Sequence, residues 1–333
     1  MEDSITTVPC MAAAVNKNRS IPTSVGSPAA IIRRRELRLM HHWSRSTCDS
    51  FSREISNPVK DHIIEIALQH EYLLEAVFAL TAAQIASSPE RSDIVHEYTD
   101  VARDYQHRAV GGLRRAIDTL SPATCDAIFI SSTILLICTI VSPFLGDDHH
   151  QSFQATMDAM LELSSFLHGL TSVLAVSRDW IIQGPMASTL DADCPIASKP
   201  FQLPFMEDLR HANTEKDGET RAVLAHAMDM LETSVQGIRF IIPWVIRIRP
   251  KFFQLLREGD DLALVIFMQW GVLLDRMRGM WWAEFSARGL VEQVSKLILV
   301  HNDKWAYVAD WSRSRVGLCS QEFQANEQAS LTG

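Results

Sequence analysis

Clustered cysteines are missing from this sequence: Cys10, Cys48, Cys125, Cys138, Cys194 and Cys319 are scattered, with no close pair and no histidine at ligand spacing. Such scatter excludes a disulfide scaffold and a zinc module, and it fits reduced thiols in a reducing compartment. Positive charge is also short. Thirty-one Lys+Arg face 40 Asp+Glu, giving a formal net charge of −9 and a pI near 5.7. That balance opposes the counterion release that drives binding to nucleic acid and opposes adsorption on anionic lipid, so any DNA contact must be borrowed from a partner. Familiar catalytic signatures are absent as well: there is no G-x-S-x-G, no G-x-x-x-x-G-K-[ST], no G-x-G-x-x-G and no H-E-x-x-H. Residues 1–19 hold no long apolar run, so no secretory signal is expected and the chain is expected to stay in the nucleus or cytoplasm.

What the sequence does have is apolar residues, 47% of 333, at helical spacing. Strand alternation is not found, so an all-α fold is expected: a single large multi-helix domain with a buried central helix. Residues 1–32 read as a disordered leader rich in Ser, Thr, Pro and Ala, 33–320 as the helical domain and 321–333 as a flexible tail. The domain opens with a stripe of Leu37, Met40, Ser44, Thr47 and Phe51. Asn57-Pro58, Ser88-Pro89 and Ser121-Pro122 then read as capped helix starts. Ile94, Tyr98, Val101, Tyr105, Ala109, Leu113, Ile117 and Leu120 hold a long stripe that is weakened at Gly111-Gly112. Four prolines between Gly184 and Glu219 suggest a long surface connection. Leu224 to Ile242 resume the helical pattern, and Asp260-Asp261 look like the start of another helix. The uncharged stretch Ala127–Gly146 is long enough to span a bilayer. Its Ser and Thr content, the missing aromatic belt and the following Asp147-Asp148 favour a core helix instead, and no membrane partner is expected.

Candidate chemistry is sparse. His41-His42 and His149-His150 are adjacent pairs, a poor geometry for one metal, so no metal site is expected. Arg33-Arg34-Arg35 could serve nuclear import or a phosphate contact, though a solvated face explains it more simply. Asp147-Asp148 after a long apolar helix is similar to the first metal motif of class I terpene cyclases, with a partial echo of the second in Asn302, Asp303, Ala306 and Asp310. On that alternative, carboxylates would hold magnesium and Arg257 would contact a diphosphate. The distal carboxylate of the first motif is absent, and acidic helix caps account for the same residues.

Four segments, in order, carry a family resemblance: residues 36–43 (ELRLMHHW), 70–83 (HEYLLEAVFALTAA), 125–132 (CDAIFISS), and 261–266 (DLALVI) continuing to Trp281-Trp282. Together they resemble the regulatory domain of fungal zinc-cluster transcription factors of the sterol uptake control type. Residues 1–35 contain only Cys10, so the six-cysteine zinc cluster of that family cannot form there, and the domain either works alone or has its DNA reader encoded upstream. The resemblance implies a non-enzymatic regulator without a cofactor, acting on an apolar, sterol-like effector or through a zinc-cluster or homodimer partner. It also implies an apolar pocket, for which Phe129, Leu136, Phe267, Trp270, Leu274 and Trp281 are the candidate lining; ordinary core packing is the competing explanation.

Overall fold

A computed structural model describes residues 27–51, 57–88, 92–146, 153–187, 201–301 and 303–318. Among these residues the chain is all helical, with no strand. The leader up to residue 26, Asp147 to Gln151, Pro195, Pro200, Asn302 and the tail from residue 319 lie outside them. In chain order the first half comprises α1 (Pro28–His42), a π-turn (Trp43–Thr47), α2 (Cys48–Phe51), α3 (Asn57–Ala67), α4 (Glu71–Ala86), α5 (Ser92–Ile117), α6 (Cys125–Val141) and α7 (Phe153–Ile182). The second half comprises α8 (Met206–Asn213), α9 (Gly218–Val235), α10 (Trp244–Arg247), α11 (Pro250–Arg257), α12 (Asp261–Asp275), α13 (Trp281–His301) and α14 (Ala306–Arg315).

Three helices form the axis of the fold because their sequences are apolar all round. In α4 the run Ala76–Ala83 is buried without a break, and α4 packs on α1, α3, α5 and α6. Helix α6 is the expected buried central helix: the segment Cys125–Phe144 is apolar and long enough to cross a membrane, and 83% of its apolar window is buried inside the protein. Two of its hydroxyls are accommodated by their own helix, Thr133 donating to the Phe129 carbonyl at 2.9 Å and Thr139 to the Leu135 carbonyl at 3.0 Å. The third is α12, in which every residue from Leu262 to Leu274 is buried. A second helix passes the same length-and-apolarity test, Phe153–Ile182. It buries Met157, Met160, Leu163, Leu167 and Ile181 on one side and turns Asp158, Glu162, His168, Arg178 and Asp179 outward, the pattern of a helix capping a core.

Several starts and stripes differ from the sequence-based expectation. Helix α1 begins at Pro28, five residues before Arg33, because the Ser27 hydroxyl accepts from the Ala30 N–H and Pro28 suits the first turn. Its buried row is Leu39, Trp43 and Thr47, spaced by four, so of the expected stripe Thr47 is inside while Leu37 is 65% exposed. Helix α6 starts at Cys125 and not at Pro122. Ser121 and Thr124 bond each other there, with the Ser121 N–H donating to Thr124 Oγ1 at 3.0 Å, so they close a turn ahead of the helix. The Gly184–Glu219 span is not one long surface connection: α8 lies inside it and buries Met206, Leu209 and Ala212. Its prolines fall outside this short helix, which the count of breakers concealed.

The start of α12 follows expectation. Asp260 Oδ1 accepts from the Ala263 N–H at 2.9 Å, and Lys216 reaches Asp260 at 2.6 Å and Asp261 at 3.2 Å. Burial pushes the Asp261 carboxyl up, but Lys216, the Trp305 indole N–H and the Leu262 N–H together hold it below the ordinary carboxylate value. A depressed folded-state value means stabilisation that is present above the unfolded pKa and lost as pH falls through the folded one. Asp261→Asn should therefore cost stability at pH 7, and its difference from wild type in urea denaturation should shrink below about pH 4, the ordinary aspartate value. Asp260→Ala removes the cap and is expected to cost about 1–2 kcal/mol at neutral pH.

Candidate functional site

The aromatic side chains of the second half gather on one side of α12. The Phe267 and Trp270 rings stack at 5.7 Å and 12°, and Trp244 from α10 stacks on Trp270 at 5.7 Å and 20°. Phe252 from α11 meets Trp244 edge-on at 5.6 Å. Both buried indoles are satisfied: Trp270 Nε1 donates to the Ile241 carbonyl at 2.7 Å and Trp244 Nε1 to the Ala227 carbonyl at 3.2 Å. Offset aromatic pairs of this kind add about 0.5–1.5 kcal/mol each beyond the area they bury. On another side, Gly271 lets α13 close in, since a Cβ there would lie 3.0 Å from Leu290 Cδ2.

The six candidate lining residues fall in three places. Phe129 and Leu136 are buried on α6, seven residues apart and so on one face. Phe267, Trp270 and Leu274 are buried on α12, with Phe267 and Trp270 in direct ring contact. Trp281 opens α13, is partly buried, and has a buried indole N–H without an acceptor among the described residues. Helix α13 packs on both α6 and α12 and stands between their apolar faces. Trp244 and Phe252 belong to the same aromatic group and escaped the sequence reading, because each sits on a short helix next to a proline and outside a long periodic run.

Polar groups inside this apolar interior are few, which makes each informative. Gln269 is 1% exposed; its Nε2 donates to Ser312 Oγ at 2.9 Å, while its Oε1 has no partner among the described residues. Arg313 is buried nearby and donates to Ser295 Oγ at 3.1 Å. The three described cysteines are chemically quiet: burial pushes the Cys48 thiol up to about 11 and the Cys138 thiol up to about 12, and it raises Cys125 as well. Thiols of that kind are neutral at cellular pH and poor nucleophiles.

An open groove of about 380 Å³ lies between α8 and α9, lined by Phe201, Leu203, Pro204, Met206 and Val235 with Glu207 and Glu232 among them. Arg210 spans its acidic side, reaching Asp229 and Glu232 at 2.8 Å each. Arg276 and Arg315 lie over the Phe201 ring at 4.5 and 5.5 Å. Burial, reinforced by Arg315, lowers the Arg276 pKa. None of the six candidate residues lines this groove. As for the carboxylates of the alternative reading, Asp303 lies in a short 3₁₀ turn, Asp310 is exposed on α14, and Arg257 is ion-paired with Asp158 at 2.8 Å. Among the described residues, no three His, Cys, Asp or Glu side chains converge as metal ligands would.

Paired helices whose apolar faces meet around a buried central helix, with aromatic groups held in place by backbone carbonyls, define an all-α domain with an apolar interior. The first half of the chain places that class more narrowly: residues 38–182 match the family model of the fungal specific transcription factor domain. This match runs from the middle of α1 to the end of α7 and contains most of the 36–43 segment and all of the 70–83 and 125–132 segments. The fourth segment, on α12 and α13, lies beyond it. Over residues 38–182, less than half of the chain, the sequence is similar to that domain family. No curated protein matches the chain.

Proposed function

We propose that this protein is a fungal transcription regulator of the sterol uptake control type, serving a metabolic gene cluster, that works without a zinc cluster of its own in this chain. It acts in the nucleus, or shuttles there from the cytoplasm, through an apolar effector or a DNA-bound partner such as a zinc-cluster relative or a second copy. The observation that carries this reading is the family match over residues 38–182, which coincides with the helices built around α4 and α6.

The effector would bind where α6 and α12 face α13, against Phe129, Leu136, Phe267, Trp270, Leu274 and Trp281. A flat apolar molecule gains about 25 cal/mol for each Å² of apolar surface it removes from water, and it transmits a signal only if two packings of α13 differ in affinity for it. The expected result is enrichment of the tagged chain at promoters in chromatin immunoprecipitation, lost when its zinc-cluster partner is deleted. Absence from promoters both alone and with co-expressed zinc-cluster relatives would sink the proposal.

A further inference from the structure

Helix α1 is an exception on an acidic protein. Arg33, Arg34, Arg35 and Arg38 fall within six residues, with Glu36 the one carboxylate among them, in a chain whose formal net charge is −9. Helical spacing places Ile31, Arg34, Arg35 and Arg38 along one stripe, at i, i+3, i+4 and i+7, with Leu37 and Arg33 on the adjoining side. Ile31, Ile32 and Leu37 are 51%, 44% and 65% exposed. Ile32 points the same way as Leu39 and Trp43, which are fully buried, so the apolar row of α1 runs past the edge of the core.

The charges around this stripe are already arranged. Arg35 lies 5.6 Å from the Tyr105 ring centre and Arg108 lies 4.3 Å from it, while the Tyr105 hydroxyl donates to Glu36 at 3.2 Å. Arg108 takes Asp104 at 3.2 Å and Glu75 at 3.5 Å. The neighbouring carboxylates are thus engaged elsewhere. Arg33, Arg34 and Arg38 make no ion pair with a described residue, and the buried Nε of Arg35 has no acceptor.

We propose that this face of α1 is the docking surface for an acidic amphipathic helix of a partner protein. Carboxylates of that helix meet Arg34, Arg35 and Arg38, and its apolar side covers Ile31 and Leu37. A phosphate backbone would use the arginines and leave the apolar side chains wet. An anionic bilayer finds only two apolar anchors on this face, short of the broad apolar side that an interfacial helix buries. A helix with acidic and apolar residues three and four apart satisfies both halves of the surface, and two turns of contact suit a transient interface at the small end of the range. This docking is separate from effector binding and stands or falls independently of it.

The test uses the full chain and a fluorescein-labelled peptide of about 16 residues, roughly four helical turns, with Leu and Phe on one side and Asp and Glu on the other. Anisotropy titration should show saturable, salt-sensitive binding. Arg34→Glu/Arg38→Glu should weaken it at least ~10-fold, as expected for removal of steering and pairing charges, and Ile31→Ser/Leu37→Ser should weaken it by a similar factor. Arg34→Lys/Arg38→Lys should retain it to within about threefold, since both residues act here chiefly through charge. All these side chains are solvent-facing, and unchanged circular dichroism confirms the fold. The proposal is overturned by absence of saturable binding, by binding indifferent to charge reversal, or by tighter charge-dependent association with phosphatidylserine vesicles, with a DNA duplex, or with a second copy seen by sedimentation.

Discussion

Trp270→Ala is expected to lower the unfolding free energy by about 3–5 kcal/mol, read as a shift of the urea midpoint at unchanged slope. The indole is fully buried and stacks on Trp244 and Phe267, so its removal leaves a cavity bounded by two rigid rings that cannot collapse into it. It also removes the shorter of two hydrogen bonds to the Ile241 carbonyl, which keeps the Trp244 N–H at 3.3 Å. Trp270→Phe separates the two contributions: most of the ring area is kept and the 2.7 Å hydrogen bond is lost, for an expected cost of about 1–3 kcal/mol. Trp281 supplies the contrast. It is only partly buried and its N–H has no acceptor among the described residues, so Trp281→Phe should be close to neutral. Equal costs for the two Trp→Phe changes would mean that α10 and α12 are not locked together through Trp270.

These two tryptophans also show where sequence reasoning reaches its limit. Composition and period were enough for the fold class and for α6 as the buried central helix, because a segment without a polar face packs well on all sides; α4 and α12 share that character but were not singled out by it. Asp260 as the cap of α12 was equally legible, since its chemistry is local. Register was harder: Leu37 and Leu39 are both leucines near the same helix end, and Leu39 goes inside because it lies one turn from the buried Trp43, which a stripe drawn through Leu37 and Met40 passes by. Long-range placement was harder still. Residues on α6 and α12 looked alike in one dimension, and only the interposition of α13 shows that Phe129 and Phe267 belong to different walls. Trp244 was visible as a residue but not as a neighbour of Trp270, because 26 positions of turns and short helices separate them.

Gly112→Ala is expected to destabilise the protein by about 1–3 kcal/mol although alanine is the better helix former, while Gly111→Ala next to it should stabilise by up to about 1 kcal/mol. Both glycines sit inside α5, where the sequence suggests only a weak point. The structure separates their roles. A Cβ on Gly112 would lie 2.6 Å from Tyr72 Cβ and 3.4 Å from Tyr72 Cα, positions fixed by the α4 backbone, so the clash is relieved only by moving one helix away from the other. A Cβ on Gly111 would meet nothing nearer than Arg115 Nη1 at 3.9 Å, the end of a flexible side chain, and gains the full benefit of reduced unfolded-state freedom. The helices that Gly112 brings together, α4 and α5, both lie inside the matched 38–182 region, and α4 also supports α1. Prising them apart would disturb the Tyr105 platform on which Arg35 and Arg108 rest, because Tyr105 packs edge-on to Phe78 of α4 at 5.3 Å. Gly112→Ala should therefore weaken the acidic peptide along with stability, whereas Gly111→Ala should leave binding intact. Thermal denaturation of the two variants, measured beside the anisotropy titration, distinguishes a close helix contact from a merely flexible pair of glycines: destabilisation of both to the same extent would discard the contact.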